Sequence, residues 1–272
     1  MANTDLPIFT RSRLIADLEK MGLLPGDTVM LHASVKAVGW IVGGPDMVFQ
    51  TLVDVLGPDG TLMMYVKCEE SLDQLEDWPD DWKRAYLEEC PPFDPERTRA
   101  LRGWSILTEY LRTWPGACRS NHPEAGMAAI GAKAEWITAD HPLQYGYGQA
   151  SPLAKLCEVG GKVLLLGRLL ENLTILHHAE HLAAVPDKNV ERYRWPMLRD
   201  GERVWVEIEQ FDTGGGIVDG AEEDYFTRIS EEYLALGKGK RGKVGGADSY
   251  LFDAGDLKDF AVAWLEERFG RR

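Results

Sequence analysis

The sequence predicts an α/β fold: a mainly parallel central sheet flanked by helices, with an inserted acidic helical excursion and a C-terminal α+β part. Two observations lead there. Short apolar runs at 28–31, 61–66 and 162–166 lack polar alternation, as strands covered on both faces do. Segments of helical spacing precede and separate the first two runs, and that alternation belongs to crossover units whose strands lie parallel.

The elements follow in order. Residues 10–24 place Leu14, Leu18 and Met21 on one helical side, with Thr10 as a cap. Pro25-Gly26-Asp27 turns the chain into the strand at 28–31, which runs out at His32-Ala33-Ser34. Gly43-Gly44-Pro45 opens a helix over 45–56, with proline in the first turn where its missing N–H costs nothing. Gly57-Pro58-Asp59-Gly60 turns into the strand at 61–66. The pattern then breaks, because seven acids and no base lie between Glu69 and Asp81, interleaved with Trp78. Helical spacing returns at 104–114, and a Gly/Tyr loop at 145–152 precedes a short helix. The run KVLLL at 162–166 is the strongest candidate for a central strand, feeding a helix over 173–185. Residues 204–208 alternate as a later strand, and amphipathic helices at 225–236 and 256–269 close the chain. No linker divides it, so a single domain over 1–272 is expected, with an acidic insert at about 69–100 and an acceptor-side part at about 200–272.

Composition narrows the function. A net charge of −14 opposes nucleic-acid binding, which needs a basic face, and attracts cationic ligands instead. No stretch reaches the ~18 apolar residues of a membrane span. The four cysteines form no CxxC pair, and no apolar run flanked by bases opens the chain. A cytoplasmic protein with reduced thiols is expected.

Three of the six histidines, His177, His178 and His181, sit with Glu180 on the helix after the 162–166 strand. Ligands of open α/β sheets bind beyond the carboxyl ends of strands, which places this helix well for catalysis. Spacings of three and four put His177 beside Glu180 and His181 while His178 points elsewhere. A histidine held by a carboxylate makes a good general base. The same spacing invites a zinc site, but HExxH needs glutamate directly after the first histidine, and His178 stands there. Residues 237–243 (GKGKRGK) imitate a phosphate-binding loop, yet Val244 replaces the required Ser or Thr and the preceding segment is helical. A flexible basic surface loop is expected there. Cys68, Cys118 and Cys157 carry no local base signature and read as small buried hydrophobes.

The ordered set LHASVKAVG (31–39), GGP (43–45), GTLMMY (60–65), PPFDPERTRA (91–100), RSNHPE (119–124), YGYGQASPLAKL (145–156), KVLLLG (162–167) and LTILHHAEHLA (173–183) resembles the aminoglycoside 3-N-acetyltransferases from about residue 10 to 269. It does not resemble the GCN5-related acetyltransferases. The resemblance implies acetyl-CoA as cosubstrate, an aminoglycoside antibiotic as acceptor, antibiotic resistance as outcome, direct acetyl transfer to the 3-amine and no metal. It implies His177 as base, with Asp212 or Glu180 orienting it. His32, Ser34, Val35 and Lys36 would line the acetyl-CoA entrance, joined by Gly43 and Ser105, with Arg119 and Ser120 near the pantetheine or diphosphate. Ala33 departs from the Ser or Thr usual in the family and Gly126 from its Ser, so nothing is carried over at either position. Tyr65, Glu70, Asp94, Glu222, Glu223 and Asp224 would meet the acceptor's ammonium groups, in a monomer or homodimer that binds neither nucleic acid nor membrane. A related N-acyltransferase acting on another amine, a non-catalytic antibiotic scavenger and a metal-dependent hydrolase are the alternatives.

Overall fold

Side chains point alternately to the two faces of a strand, and here that alternation divides the core into two halves. The computed structural model describes residues 7–68, 75, 78–212, 214–218, 220–221 and 224–270. Strands β2 (Thr28–Ala33), β4 (Thr61–Tyr65) and β7 (Lys162–Leu166) form its centre. Val29, Leu31, Leu62, Met64, Leu164 and Leu166 pack on one face against helices α1 (Arg11–Met21), α3 (Gly44–Leu56) and α5 (Leu107–Arg112). Met30, Met63, Val163 and Leu165 pack on the other face, against α6 (Ala134–Thr138), α7 (Pro152–Glu158), α8 (Ile175–Leu182), α9 (Tyr225–Ala235) and α10 (Ala254–Phe269). The result is helices on both faces of a sheet.

With β5 (Cys118–Arg119), β6 (Met127–Gly131), β10 (Lys240–Val244) and β11 (Ala247–Asp253), the sheet has seven strands in the order β10-β11-β7-β2-β4-β6-β5. The expected parallel pairing holds at its centre, where β2 runs parallel to both β4 and β7. Both wings are antiparallel. For the outermost pair the reason is connection length: Gly245-Gly246 joins β10 to β11, and so short a link permits only a hairpin. That pairing also corrects the expected loop at 237–243, since Lys240–Val244 is an edge strand whose lysines guard an exposed edge.

Two smaller elements matter for the site. Strand β1 (Ile8–Phe9) pairs in parallel with β3 (Trp40–Ile41), which lies just after the short helix α2 (Val35–Val38). Strands β8 (Val190–Arg199) and β9 (Glu202–Phe211) form a hairpin in register over its whole length. Its turn is Asp200-Gly201, with φ of 52° and 82°, the positive angles a two-residue hairpin turn demands. The hairpin docks through Trp195, Met197 and Ile208, which bury Cys68 and Phe93 in a separate small core. Phe93 closes this contact by donating its N–H to Pro196 O and accepting from Leu198 N–H. Within the acidic excursion, α4 (Asp80–Glu89) is helical, as expected. Among the described residues no helix is long and apolar enough to cross a membrane.

Candidate active site

Because β2, β4 and β7 run parallel, their carboxyl ends share one edge of the sheet. The chain builds β4 on one side of β2 and β7 on the other, so the edge above β2 is a topological switch point, where such sheets bind ligands. The strand ends approach closely. Ser34 N–H donates to Leu166 O at 2.8 Å, and Gly167 (φ 65°) leaves no room for a side chain: a Cβ there would lie 2.4 Å from Ala37 Cβ.

Two hollows open at this edge. The first is a cleft of about 760 Å³ lined by Ser34, Val35, Lys36, Gly43, Gly44, Trp104, Ser105, Ile106 and Arg168, among others. Its cations are Lys36 and Arg168, and its floor includes the first residues of α3, where unpaired backbone N–H groups favour anions. Gly43 (φ 87°) lets the chain turn tightly into that helix. The second is a cavity of about 250 Å³ whose lining has the opposite sign: Glu124, Glu171 and Glu191 around His177, with Tyr65, Tyr147 and Tyr193 as aromatic wall. Lys67 is its cation, held by Glu124 at 2.8 Å. Trp104 alone among the described residues lines both hollows.

The three histidines of α8 fall into different environments. His177 Nδ1 donates to Glu180 Oε2 at 2.6 Å. Glu180 is 1% exposed, and its other oxygen accepts from Tyr225 O–H on α9, so both carboxylate oxygens are fixed. Tyr147 and Phe226 pack on the imidazole, with ring centroids 5.3 and 4.8 Å away. His178 and His181 instead donate to the carbonyls of Tyr147 and His177. Burial, despite those bonds, pushes both down to about 4. His32, at the end of β2, is pushed down to about 3 by burial and by the charges of Arg168 and His177, and its Nε2 is buried with no hydrogen-bond partner among the described residues. At neutral pH these three are uncharged. Burial likewise raises the thiols of Cys68 and Cys157 to about 12, which makes them poor nucleophiles. Among the described residues no three His, Cys, Asp or Glu side chains converge on a point that could hold a metal.

The chain as a whole has known relatives. The family model for aminoglycoside 3-N-acetyltransferase matches residues 30–266. The chain is 52% identical to aminoglycoside N(3)-acetyltransferase III of Pseudomonas aeruginosa over 98% of its own length and 97% of that protein's. The chain belongs to the aminoglycoside 3-N-acetyltransferase family. It is 46% identical to aminoglycoside N(3)-acetyltransferase VII of Streptomyces paromomycinus, over all of this chain and 96% of the relative. Among solved structures, the AAC-IIIb binary complex with CoASH superposes with a TM-score of 0.91 at 48% identity, covering 98% of this chain and 99% of that one. Sisomicin-bound AAC-VIa does so with 0.90 at 36%, covering 97% and 100%.

Within this aminoglycoside 3-N-acetyltransferase the residues expected from sequence divide. Ser34, Val35, Lys36, Gly43 and Ser105 line the cationic cleft together, and Tyr65 and His177 line the acidic cavity. Of the two candidate partners for His177, Glu180 makes the contact. Asp212 turns its carboxylate onto the N–H groups of Gly214 and Gly215, both at 2.7 Å. Arg119 and Ser120 line neither hollow. The Arg119 guanidinium is buried over Phe93 and donates to Thr98 O and Val66 O, and the Ser120 hydroxyl accepts from Met127 N–H. Asp94 also lies outside both hollows, accepting from Glu96 N–H and pairing with Arg97. Asp224 is exposed beside the start of α9, in neither hollow. Glu70, Asp219, Glu222 and Glu223 lie outside the described residues. Sequence reasoning passed over Trp104, Arg168, Glu171 and Glu191. It also passed over Glu124 and Tyr147, although RSNHPE and YGYG contain them.

Proposed function

We propose that this enzyme transfers the acetyl group of acetyl-CoA directly to the 3-amine of a 2-deoxystreptamine aminoglycoside, with His177 as general base. The observation that carries the proposal is the carboxylate-held histidine in an acid-lined cavity that abuts a separate cationic cleft. Lys36, Arg168 and the amino end of α3 suit the diphosphate of coenzyme A. Glu124, Glu171 and Glu191 suit an acceptor bearing several ammonium groups, and the tyrosines suit its sugar faces. The small cavity would take in one part of a large acceptor.

With Nδ1–H committed to Glu180, His177 keeps Nε2 for the reaction. The acceptor nitrogen attacks the thioester carbon and gives its proton to that nitrogen. The new C–N bond forms, the C–S bond breaks, and coenzyme A leaves as the thiol after regaining a proton. The buried Glu180 carboxylate stabilises the imidazolium formed in between. A cosubstrate drawn from central metabolism suits a cytoplasmic location. A single-amine acceptor is less well served, because even with Glu124 paired to Lys67 both Glu171 and Glu191 would face one charge.

Thiol release from acetyl-CoA, measured against a panel of aminoglycosides with mass and NMR assignment of the product, tests this reading. A product carrying one acetyl group on the 3-amine is expected. His177→Ala should lower kcat by about 10²–10⁴, the scale of a lost general base, with coenzyme A binding retained. A mild His177→Ala beside a crippling His178→Ala or His181→Ala would overturn the assignment.

A further inference from the structure

The two hollows are separate, yet the reaction above requires the acyl carbon, delivered from one, to meet an amine held in the other. The crossing point is therefore fixed by whatever they share. Among the described residues that is Trp104 alone. We propose that Trp104 sets the length of the acyl group transferred: its indole forms the apolar wall at the crossing and leaves room for a two-carbon group. This rests on the reading of the enzyme as an acyl-CoA-dependent N-acyltransferase.

The indole is braced from two strand ends. Tyr65, last residue of β4, meets its edge with centroids 5.6 Å apart at 77°. Arg168, just past β7, places its guanidinium 5.8 Å from the ring centroid. The backbone beneath it is a tight turn, with Trp104 N–H donating to Leu101 O while Leu101 N–H reaches Lys67 O at 2.9 Å. The ring thus has a neighbour on two sides, and the backbone that carries it is held in a turn. At the crossing the thioester carbon carries three groups besides the attacking nitrogen: sulfur, oxygen and the acyl methyl. Sulfur points back along the donor cleft and oxygen seeks hydrogen-bond donors. The methyl is the apolar group, and it is left to face the one apolar side chain that, among the described residues, both hollows have in common. Each further methylene would press on that ring.

The experiment compares kcat/KM for acetyl-, propionyl- and butyryl-CoA with one aminoglycoside acceptor in the wild type, Trp104→Phe, Trp104→Leu and Trp104→Ala. A fixed apolar wall discriminates by roughly 10–200-fold per methylene. The wild type should therefore fall steeply along the series. The acetyl-over-butyryl ratio should shrink by about ten-fold or more in Trp104→Ala, with Trp104→Phe in between. A merely structural role would lower all three donors alike and leave the ratio unchanged. An unchanged ratio in soluble variants that still use acetyl-CoA, or a wild type that accepts butyryl-CoA as well as acetyl-CoA, overturns the proposal. If Trp104→Ala does not fold, the Phe and Leu variants decide by the same ratio. A wild type that releases no thiol from any of the three donors would instead defeat the acyltransferase reading, so the two failures are distinct.

Discussion

His177 differs from His178 and His181 in what its Nδ1–H meets. The other two donate to backbone carbonyls, which orient a ring but carry no charge to balance a captured proton. His177 donates to a carboxylate that is buried and held on its far side by Tyr225. If that charge is what counts, Glu180→Gln, which keeps size and shape, should lower kcat by ~10²-fold or more with little change in the KM for acetyl-CoA. Asp212→Asn should cost far less, because its carboxylate serves only the local turn at Gly214 and Gly215. Steady-state kinetics of the two variants decide between the partners, and the reverse order of effects would make Asp212 the orienting acid. Tyr225→Phe, which leaves one Glu180 oxygen unpaired, should fall between them.

At the scale of elements, the β8–β9 hairpin is the part least determined by the central sheet, and on the proposed reading it is the part that would meet the acceptor. It carries Glu191 and Tyr193 into the cavity. Its docking depends on Ile208, which is fully buried among Cys68, Phe93, Trp195 and Met197. Ile208→Ala should destabilise the protein by about 2–4 kcal/mol and lower its melting midpoint by roughly 5–10 °C. The acceptor KM should rise while that for acetyl-CoA stays near wild type, since among the described residues the hairpin contributes none to the cationic cleft. Equal shifts in both constants would show that the hairpin supports the whole fold and not the cavity. This element also shows where reading from sequence stops. Strand β9 is legible in its alternation at 204–208, but β8 is masked by Glu191, Arg192 and Arg194 and by Pro196, which demotes a strand pattern. Asp200-Gly201 was the available signal. The central strands, and the grouping of Ser34, Val35 and Lys36 at one cleft, are legible because each is one continuous segment. The acidic cavity is not, because Glu124, Glu171 and Glu191 meet only once the β5–β6 connection, the segment after β7 and the hairpin are in place. Arg119 and Ser120 mark the opposite error: their side chains are spent on neighbouring backbone, a role that leaves no sequence pattern of its own.

For the molecule as a whole, the net charge of −14 acts oppositely on the two substrates. On the proposed reading a polycationic acceptor would be drawn toward the protein at long range and then into a cavity lined by three glutamates. On the same reading coenzyme A, a polyanion, approaches against the overall field and would be held only at short range, by Lys36 and Arg168 of the cationic cleft. Salt screens such long-range terms, with a Debye length of about 10 Å at 0.1 M and about 3 Å at 1 M. Added salt should therefore raise the acceptor KM more steeply than the KM for acetyl-CoA, whose unfavourable approach is screened along with its favourable contacts. Glu171→Gln combined with Glu191→Gln should raise the acceptor KM by roughly 2–30-fold at low salt, taking about 0.2–1 kcal/mol for each ammonium–carboxylate pair lost. It should also flatten that constant's dependence on salt while leaving the donor's unchanged. The comparison matters because the charge total alone would equally describe a protein made soluble by its acids. If the double variant keeps the wild-type salt slope, the attraction comes from the surface at large, and these two glutamates only border the cavity.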